Sequence, residues 1–264
     1  MSIDILDKLW AQYVQDNPHV KKVYDLFIKN GENPINDHIA LRTLDDERIN
    51  IYKLAEVFIN KGYKICNAYD FEVKKLKAIH LEHIDDNQPK VFISQLLTNK
   101  FSHELQHILK ECIDLIPLQL INDTENLLLS GTSWPIYYKV YQQLLKESEY
   151  AAWFYTFGFR ANHFTVFINH LKNFSEVYQV NNFLKENGFR LNSSGGEVKG
   201  SKEELLEQSS IMADFVEVNF KDGKHKIPSC YYEFAKRYPD NSGKLYQGFV
   251  AKSADKIFES TNYQ

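Results

Sequence analysis

The fold is decided by residues 36–43, which read Asn-Asp-His-Ile-Ala-Leu-Arg-Thr. Pro34 precedes this stretch and an acidic turn at residues 45–47 follows it, which is typical of a β-strand bounded by turns. Side chains alternate between the two faces of a strand, so His38 and Arg42 share one face and the large apolar residues occupy the other. One face therefore presents a possible metal ligand and an anion-binding group, while the other can enter a core.

The same order of residue types recurs in residues 161–168, which read Ala-Asn-His-Phe-Thr-Val-Phe-Ile. His163 takes the position of His38, and apolar residues again fill the opposite face. In each copy an amphipathic helix pattern, a glycine and a later strand pattern follow, at residues 51–60, Gly62 and 91–95 and at residues 175–187, Gly188 and 215–220. This order predicts an α+β fold in which two duplicated β-α-β modules form a shared metal cavity.

The composition is that of an ordinary globular protein, with 264 residues of which 44% are hydrophobic and 25% are charged. The net charge of −4 gives no electrostatic reason to expect a nucleic acid or an anionic membrane as partner. No apolar run approaches the roughly 20 residues that a membrane-spanning helix needs. The acidic, helical pattern of the first residues is unlike a secretory signal.

The three cysteines of the chain are Cys66, Cys112 and Cys230. They are odd in number, lie far apart in the sequence and form no CxxC motif. We interpret them as free thiols in a reducing compartment, and therefore expect a cytoplasmic protein.

The succession of helix, strand and turn patterns predicts a single domain over residues 1–264. Its parts are N-terminal helices (1–33), module one (34–100), a helical insert (101–158), module two (159–237) and a C-terminal strand and helix (238–264). In the C-terminal part the strand is predicted at residues 245–250 and the helix at residues 253–260.

Two histidines and one carboxylate form a set of metal ligands that binds Fe(II) and leaves positions open for substrate and dioxygen. The repeat supplies His38 and His163. The spacing leaves the carboxylate open between Glu217, in a module-two strand, and Glu233, which follows a predicted hairpin, with Glu82 as a weaker third.

Other histidines have simpler interpretations. His80 and His83 flank Glu82 on a predicted strand, which we interpret as half exposed. His103 and His107 are spaced i,i+4 on a predicted helix, a spacing that can bind zinc, but no further ligand pattern lies near them. A single histidine on a strand, or Arg42 alone, is more often a structural residue or half of a salt bridge.

Several separated motifs resemble a known family, once named only DUF1338, whose characterised members are 2-oxoadipate dioxygenase/decarboxylases of lysine catabolism. These motifs are Asp37-His38 with Arg42, residues 160–165, residues 208–214, and Ile227-Pro228 with residues 231–235. The resemblance implies an elaborated vicinal-oxygen-chelate fold, with His38, His163 and Glu233 as metal ligands. It also implies that Arg42 binds a substrate carboxylate.

The function implied by this resemblance is that of an Fe(II)-dependent, decarboxylating dioxygenase. Such an enzyme converts a small 2-oxo dicarboxylic acid, similar to 2-oxoadipate, and O2 into a 2-hydroxy acid one carbon shorter and CO2. Zinc or nickel could replace iron during purification, since the same ligands bind these ions more tightly. The alternatives are a metal-dependent lyase or isomerase of the glyoxalase type and a non-catalytic protein that binds a small acid.

Overall fold

The computed structural model of the protein describes residues 4–250, 256 and 258–261. The chain divides into two compact units, each built from three separate segments. Unit one comprises Met1–Tyr13, Ala40–Asn162 and Phe215–Ile227. Unit two comprises Val14–Ile39, His163–Asp214 and Pro228–Gln264.

The helices and strands follow one another in mixed order along the chain. The helices are α1 (Asp4–Asp16), α2 (Pro18–Lys29), α3 (Ile51–Ile59), α4 (His103–Asp114), α5 (Leu118–Asn122), α6 (Thr124–Leu127), α7 (Tyr138–Glu147), α8 (Glu149–Phe157) and α9 (Val177–Glu186). The strands are β1 (Asn36–Leu44), β2 (Tyr63–Phe71), β3 (Leu76–His83), β4 (Lys90–Leu96), β5 (Ala161–Phe167), β6 (Lys199–Ser201), β7 (Leu206–Ser210), β8 (Phe215–Phe220), β9 (Gly223–Pro228) and β10 (Glu233–Arg237). Among the described residues, no helix combines the length and apolar character that a membrane crossing needs.

In unit one the strand order is β2-β3-β4-β1. Strands β2, β3 and β4 pair antiparallel, as expected for strands joined by short turns. Helix α3 begins at Asn50, whose side chain accepts hydrogen bonds from two backbone amides of the first turn. The apolar face of α3, with Leu54 and Phe58 fully buried, packs against this sheet and forms the core of module one.

Helix α8 is attached to the sheet of unit one by a buried tyrosine. The Tyr150 hydroxyl accepts a hydrogen bond from the Thr43 amide (3.0 Å) and donates to the Ser94 carbonyl (2.7 Å). One side chain therefore links α8 to both β1 and β4, and this link holds the start of α8 beside the end of β1.

In unit two the strand order is β1-β5-β10-β7-β6. Strand β10 runs parallel to β5 and antiparallel to β7, with Glu233 opposite both Thr165 and Ser210. Helix α9 packs against β7 and β10. An aromatic cluster joins α2 to this core, where the Phe27 ring contacts the rings of Phe174, Phe183 and Phe234.

The α+β class predicted from the sequence is confirmed, but one predicted strand pairs elsewhere than expected and another, at residues 245–250, is not formed. Residues 215–220 do form a strand, yet β8 pairs with β9 in a separate two-stranded hairpin sheet. The strand beside β5 in unit two is β10, which the sequence pattern did not single out. The predicted strand at 245–250 is reduced to an isolated bridge between Leu245 and Pro239. The predicted helix at 253–260 lies largely outside the described residues, which include a 3-10 turn at Phe258–Thr261.

Candidate metal centre

Three possible metal ligands converge in unit two: His38 on β1, His163 on β5 and Glu233 on β10. Their ligand atoms all lie within 4.8 Å of one another, and all three side chains are buried. The Nε2 atom of His163 lies 3.2 Å from Oε2 of Glu233, and the Nε2 atom of His38 lies 3.5 Å from Oε1. The two imidazole rings stand nearly perpendicular, with centroids 5.6 Å apart. We call these three residues the metal centre.

Strand pairing explains why these residues meet. Strands β1, β5 and β10 are consecutive neighbours in the sheet of unit two. Glu233 lies opposite Thr165, which is two residues beyond His163 and so shares its face of β5. The Thr165 hydroxyl lies 3.0 Å from Nε2 of His38. Adjacent strands thus bring one ligand each to the same face.

The His38 ring is oriented by its sequence neighbour. The Asp37 carboxylate accepts a hydrogen bond from Nδ1 of His38 at 2.7 Å. This bond places the ring proton on Nδ1 and leaves Nε2, the atom nearest Glu233, with a lone pair for a cation. A carboxylate behind a metal-binding histidine is a common arrangement, since it fixes the ring and makes the imidazole a stronger ligand.

Asp37 is itself held by Arg237, the last residue of β10. Two guanidinium nitrogens of Arg237 donate to the two Asp37 oxygens, at 2.6 and 2.9 Å. The remaining terminal nitrogen donates to the carbonyls of Tyr246 and Gly248. The pair is almost completely buried, so its favourable energy depends on this full set of hydrogen bonds. Arg237 also offsets the negative charge of Asp37 beside the metal centre.

The Glu233 carboxyl is in an unusual electrostatic environment. Burial raises its pKa to about 8, and a hydrogen bond that the Gln208 amide donates to Oε1 offsets this shift only in part. Without a cation the buried carboxyl therefore holds a proton near neutral pH, and a divalent cation would replace that proton. Two imidazoles, of which the His38 ring is already oriented, and one carboxylate fit a first-row transition metal such as Fe(II).

Aromatic rings enclose the two histidines. The His163 ring stacks on Tyr231, with centroids 4.7 Å apart. The rings of His38 and Phe249 pack edge to face, with their centroids 4.8 Å apart. These rings restrict rotation of the imidazoles and reduce access of water to them, which favours a preformed set of ligands.

The structure separates the three carboxylates that the sequence left open. Glu233 lies at the two histidines. Glu217 is on the β8–β9 hairpin, where its exposed carboxylate pairs with Lys224 at 3.1 Å. Glu82 contacts His80 in unit one. His107 is exposed and pairs with Glu111.

Arg42 lies in unit one, with its side chain buried at the end of β1. Its Nη1 donates to both carboxylate oxygens of Glu149, at 3.1 and 3.3 Å. The guanidinium carbon lies 4.7 Å from the Tyr150 ring centroid and 5.0 Å from that of Trp153. These contacts fix the plane of the guanidinium group, whose role as substrate anchor stays a prediction.

Sequence analysis missed several residues around the ligands. Asp37 directly precedes His38 and could have been found by asking which carboxylate can reach the ring. Arg237 and Gln208 carry no such local signal, because their contacts with Asp37 and Glu233 depend on how β10 pairs with its neighbours.

Comparisons with known proteins show the family of the chain. The family described as "2-oxoadipate dioxygenase/decarboxylase" matches residues 5–243. A chloroplastic 2-oxoadipate dioxygenase/decarboxylase of Arabidopsis thaliana is 32% identical over 284 residues, with 97% of this chain and 76% of the relative covered.

Solved structures show the same similarity. The hydroxyglutarate synthase of Oryza sativa, solved with 2-oxoadipate, is 32% identical, has a TM-score of 0.91, and covers 98% of this chain and 91% of its own. A protein of Shewanella frigidimarina with the provisional name of hydrolase is 51% identical and has a TM-score of 0.89. The match covers 94% of this chain and 97% of that protein. A glyoxalase superfamily protein of Ralstonia eutropha shares the fold, with 20% sequence identity and a TM-score of 0.76. The match covers 91% of this chain and 83% of that protein.

Proposed function

Because the chain belongs to the 2-oxoadipate dioxygenase/decarboxylase family, we propose that it converts 2-oxoadipate, or a close 2-oxo dicarboxylic acid, and O2 into CO2 and a 2-hydroxy acid one carbon shorter. For 2-oxoadipate the product is 2-hydroxyglutarate. The carbon lost as CO2 is the C1 carboxylate. One atom of O2 joins the keto carbon as it becomes a carboxylate, and the other becomes the new hydroxyl, so the atoms balance. The observation that carries the proposal is the buried set of His38, His163 and Glu233.

His38, His163 and Glu233 would hold the cation, and two imidazoles with one carboxylate are a ligand set that suits Fe(II). When bound, Fe(II) supplies a charged centre that the 2-oxo acid can chelate and that can activate O2. Glu233 loses its proton when the cation binds and contributes the single negative charge of the set. Asp37 and Arg237 keep the His38 ring in the orientation that binds the cation.

Arg42 is the proposed anchor for a substrate carboxylate. It follows His38 by four residues on β1. A guanidinium group offers paired donors in a planar fork that fits a carboxylate, and the contacts with Glu149, Tyr150 and Trp153 fix that fork in advance. Prior ordering lowers the entropy lost when a flexible dicarboxylic acid binds.

The proposal is tested by loading metal-free protein anaerobically with Fe(II) and measuring oxygen uptake with a series of 2-oxo acids. We expect uptake with 2-oxoadipate and weaker uptake with shorter dicarboxylic and with monocarboxylic 2-oxo acids. Glu233→Gln should abolish iron binding and uptake, whereas the matched control Glu217→Gln, on the exposed hairpin, should retain both. Full iron occupancy in Glu233→Gln would overturn the assignment of the ligand.

The same assay separates the alternative function. A glyoxalase-type lyase or isomerase, which the fold also accommodates, would consume substrate in the presence of Zn²⁺ or Ni²⁺ without taking up oxygen. Metal-dependent turnover without oxygen uptake would therefore rule out the proposed dioxygenase reaction and favour the lyase or isomerase.

The place of the reaction in the cell stays a prediction. Cys66, Cys112 and Cys230 are not joined in disulfides, which is consistent with the reducing cytoplasm expected from the sequence. A role in lysine catabolism follows only if 2-oxoadipate proves to be the preferred substrate in the oxygen-uptake assay.

A further inference from the structure

A second group of possible metal ligands lies in unit one, made of residues that the proposed reaction does not use. The Cys66 thiol, an imidazole nitrogen of His80 and a carboxylate oxygen of Glu82 all lie within 4.8 Å of one another. We call these three residues the Cys66 cluster. His80 is fully buried, unlike the half-exposed strand expected from the sequence, and Cys66 and Glu82 are half-buried.

A β-bulge brings the thiol to the other two ligands. Along the β2–β3 ladder Ile65 pairs with Leu81 and Asn67 pairs with His80, which leaves Cys66 between them without a partner residue on β3. His80 and Glu82 are two residues apart on β3 and so share a face. A bulge adds a residue to one strand and turns its side chain away from the regular alternation. The extra residue here is the cysteine, and its side chain reaches that same face.

The His80 ring is held as a metal-binding imidazole usually is. The Tyr69 hydroxyl lies 2.9 Å from Nδ1, and Oε1 of Glu82 lies 2.9 Å from Nε2. Tyr69 therefore orients the ring from behind. A cation at Nε2 requires the tautomer in which Nδ1 carries the proton and donates it to the Tyr69 hydroxyl. The Cys66 thiol donates to the Lys64 carbonyl at 3.7 Å and also interacts with the Glu82 carboxylate. A cation between the three side chains would face one sulfur, one nitrogen and one oxygen ligand.

We propose that Cys66, His80 and Glu82 form a second metal site, which takes Zn²⁺ or another thiophilic divalent cation. A thiol, an imidazole and a carboxylate are the ligand types that zinc combines, whereas Mg²⁺ and Ca²⁺ prefer oxygen alone. The usual zinc bond lengths separate tetrahedral ligand atoms by about 3.4–3.6 Å, so the His80–Glu82 contact has to open by roughly half an ångström. The fourth position is left to water.

Binding at this site exchanges protons for the cation. The sulfur–hydrogen bond of Cys66 breaks, a zinc–sulfur bond forms, and the proton leaves to solvent with no change of oxidation state. Burial and the hydrogen bond to Glu82 raise the pKa of the Cys66 thiol, so its affinity for zinc increases with pH. Strand β2 lies at the edge of the unit-one sheet, and a bound cation would fasten its bulge to β3.

Cobalt provides a test because the metal centre contains no sulfur. Metal-free protein is titrated with Co²⁺, and the near-ultraviolet charge-transfer band of a cobalt–thiolate bond is recorded. We expect this band to grow to one equivalent per chain and to be lost in Cys66→Ser. The matched control Cys112→Ser, which removes a buried thiol of α4, should keep it. A titration without the band, or a band that persists in Cys66→Ser, would overturn the proposal.

A second variant keeps the test valid if Cys66→Ser folds poorly. Glu82→Gln retains the size of the side chain, and we expect it to lower cobalt affinity by at least about tenfold while the thiolate band remains. Zinc content measured with a chromophoric chelator should be one equivalent lower in Cys66→Ser than in the wild type, whether or not the metal centre holds zinc. Since no ligand of this site belongs to the metal centre, failure here leaves the proposed function untouched, and the reverse also holds.

Discussion

Glu233→Gln should make the metal-free protein more stable at alkaline pH, although it removes a metal ligand. In the folded protein the pKa of Glu233 is about 8, against its ordinary value of 4.5, because burial disfavours the charged form. Between these two pH values folding takes up a proton, so the folded state loses stability as the pH rises through this window. Glutamine is neutral at every pH, and its amide can still accept the hydrogen bond from Gln208 and face His163.

The size of the effect follows from the pKa shift. Each pH unit between the unfolded and the folded pKa costs about 1.4 kcal/mol per proton, so the full window corresponds to about 4–5 kcal/mol, as an upper figure. Relative to Glu233→Gln, the wild type should lose stability above pH 4.5 and level off above about pH 8. Below pH 4.5 the Glu233 carboxyl is protonated in both the folded and the unfolded protein. The difference in stability between wild type and Glu233→Gln should therefore be smallest there.

The assay is urea unfolding in the presence of EDTA at several pH values from 4.5 to 9, with the free energy of unfolding of each variant compared at each pH. The difference between wild type and Glu233→Gln isolates this one group, because other titrating residues are common to both. Glu217→Gln, on the exposed hairpin, should follow the wild-type curve. Parallel curves for wild type and Glu233→Gln would refute the argument that burial holds a proton on Glu233. With Fe(II) present the order should reverse, because only the wild type binds the cation.

Three further predictions concern residues around the ligands. Asp37→Asn removes the charged acceptor behind His38 and should weaken metal affinity by about 10- to 100-fold, as measured by competition with a chelator on folded protein. Arg237→Gln leaves the buried Asp37 without its bidentate partner and should lower the free energy of unfolding by about 3–5 kcal/mol, measured by urea denaturation; an unchanged midpoint would contradict this. Arg42→Lys should keep full iron content but lower kcat/KM by about ten- to a few-hundred-fold, from the loss of about 1.5–3 kcal/mol of charge-assisted hydrogen bonding. Unchanged kcat/KM in iron-loaded Arg42→Lys would show that another group binds the carboxylate.

The repeat in the sequence correctly placed His38 and His163 on matched strands and predicted the class of the fold, while their role as metal ligands stays a prediction. His38 and His163 occupy matched positions because each module begins with a strand whose polar face carries one imidazole. These strands are short-range features, so alternation and flanking turns reveal them. The helices were equally accessible where a strong apolar face and a cap coincide, as at α3, where Asn50 caps the first turn.

The proposed third ligand, Glu233, could not be selected by spacing. Glu233 reaches the histidines because β10 returns, after the β8–β9 hairpin, to pair parallel with β5. Parallel pairing is a long-range event, and the β-type pattern at residues 215–220 favoured the wrong strand as the module-two partner. Resemblance to a family, rather than local pattern, selected Glu233 over Glu217.

The residues that support the ligands were still less predictable. Arg237 meets Asp37 across 200 residues of sequence, and a buried arginine at the end of a strand is indistinguishable by pattern from an exposed one. Cys66 was interpreted as an ordinary free thiol, since a bulge in β2 leaves no mark in the alternation of its neighbours.

The account is tested most directly by running the reaction under ¹⁸O₂ with iron-loaded protein and 2-oxoadipate, and measuring the mass of the product by mass spectrometry. If the chain is a decarboxylating dioxygenase, the 2-hydroxyglutarate formed carries two heavy oxygen atoms, one in the hydroxyl and one in the new carboxylate, with one CO2 released per molecule. Product without heavy oxygen, or with its hydroxyl oxygen taken from water, would contradict it.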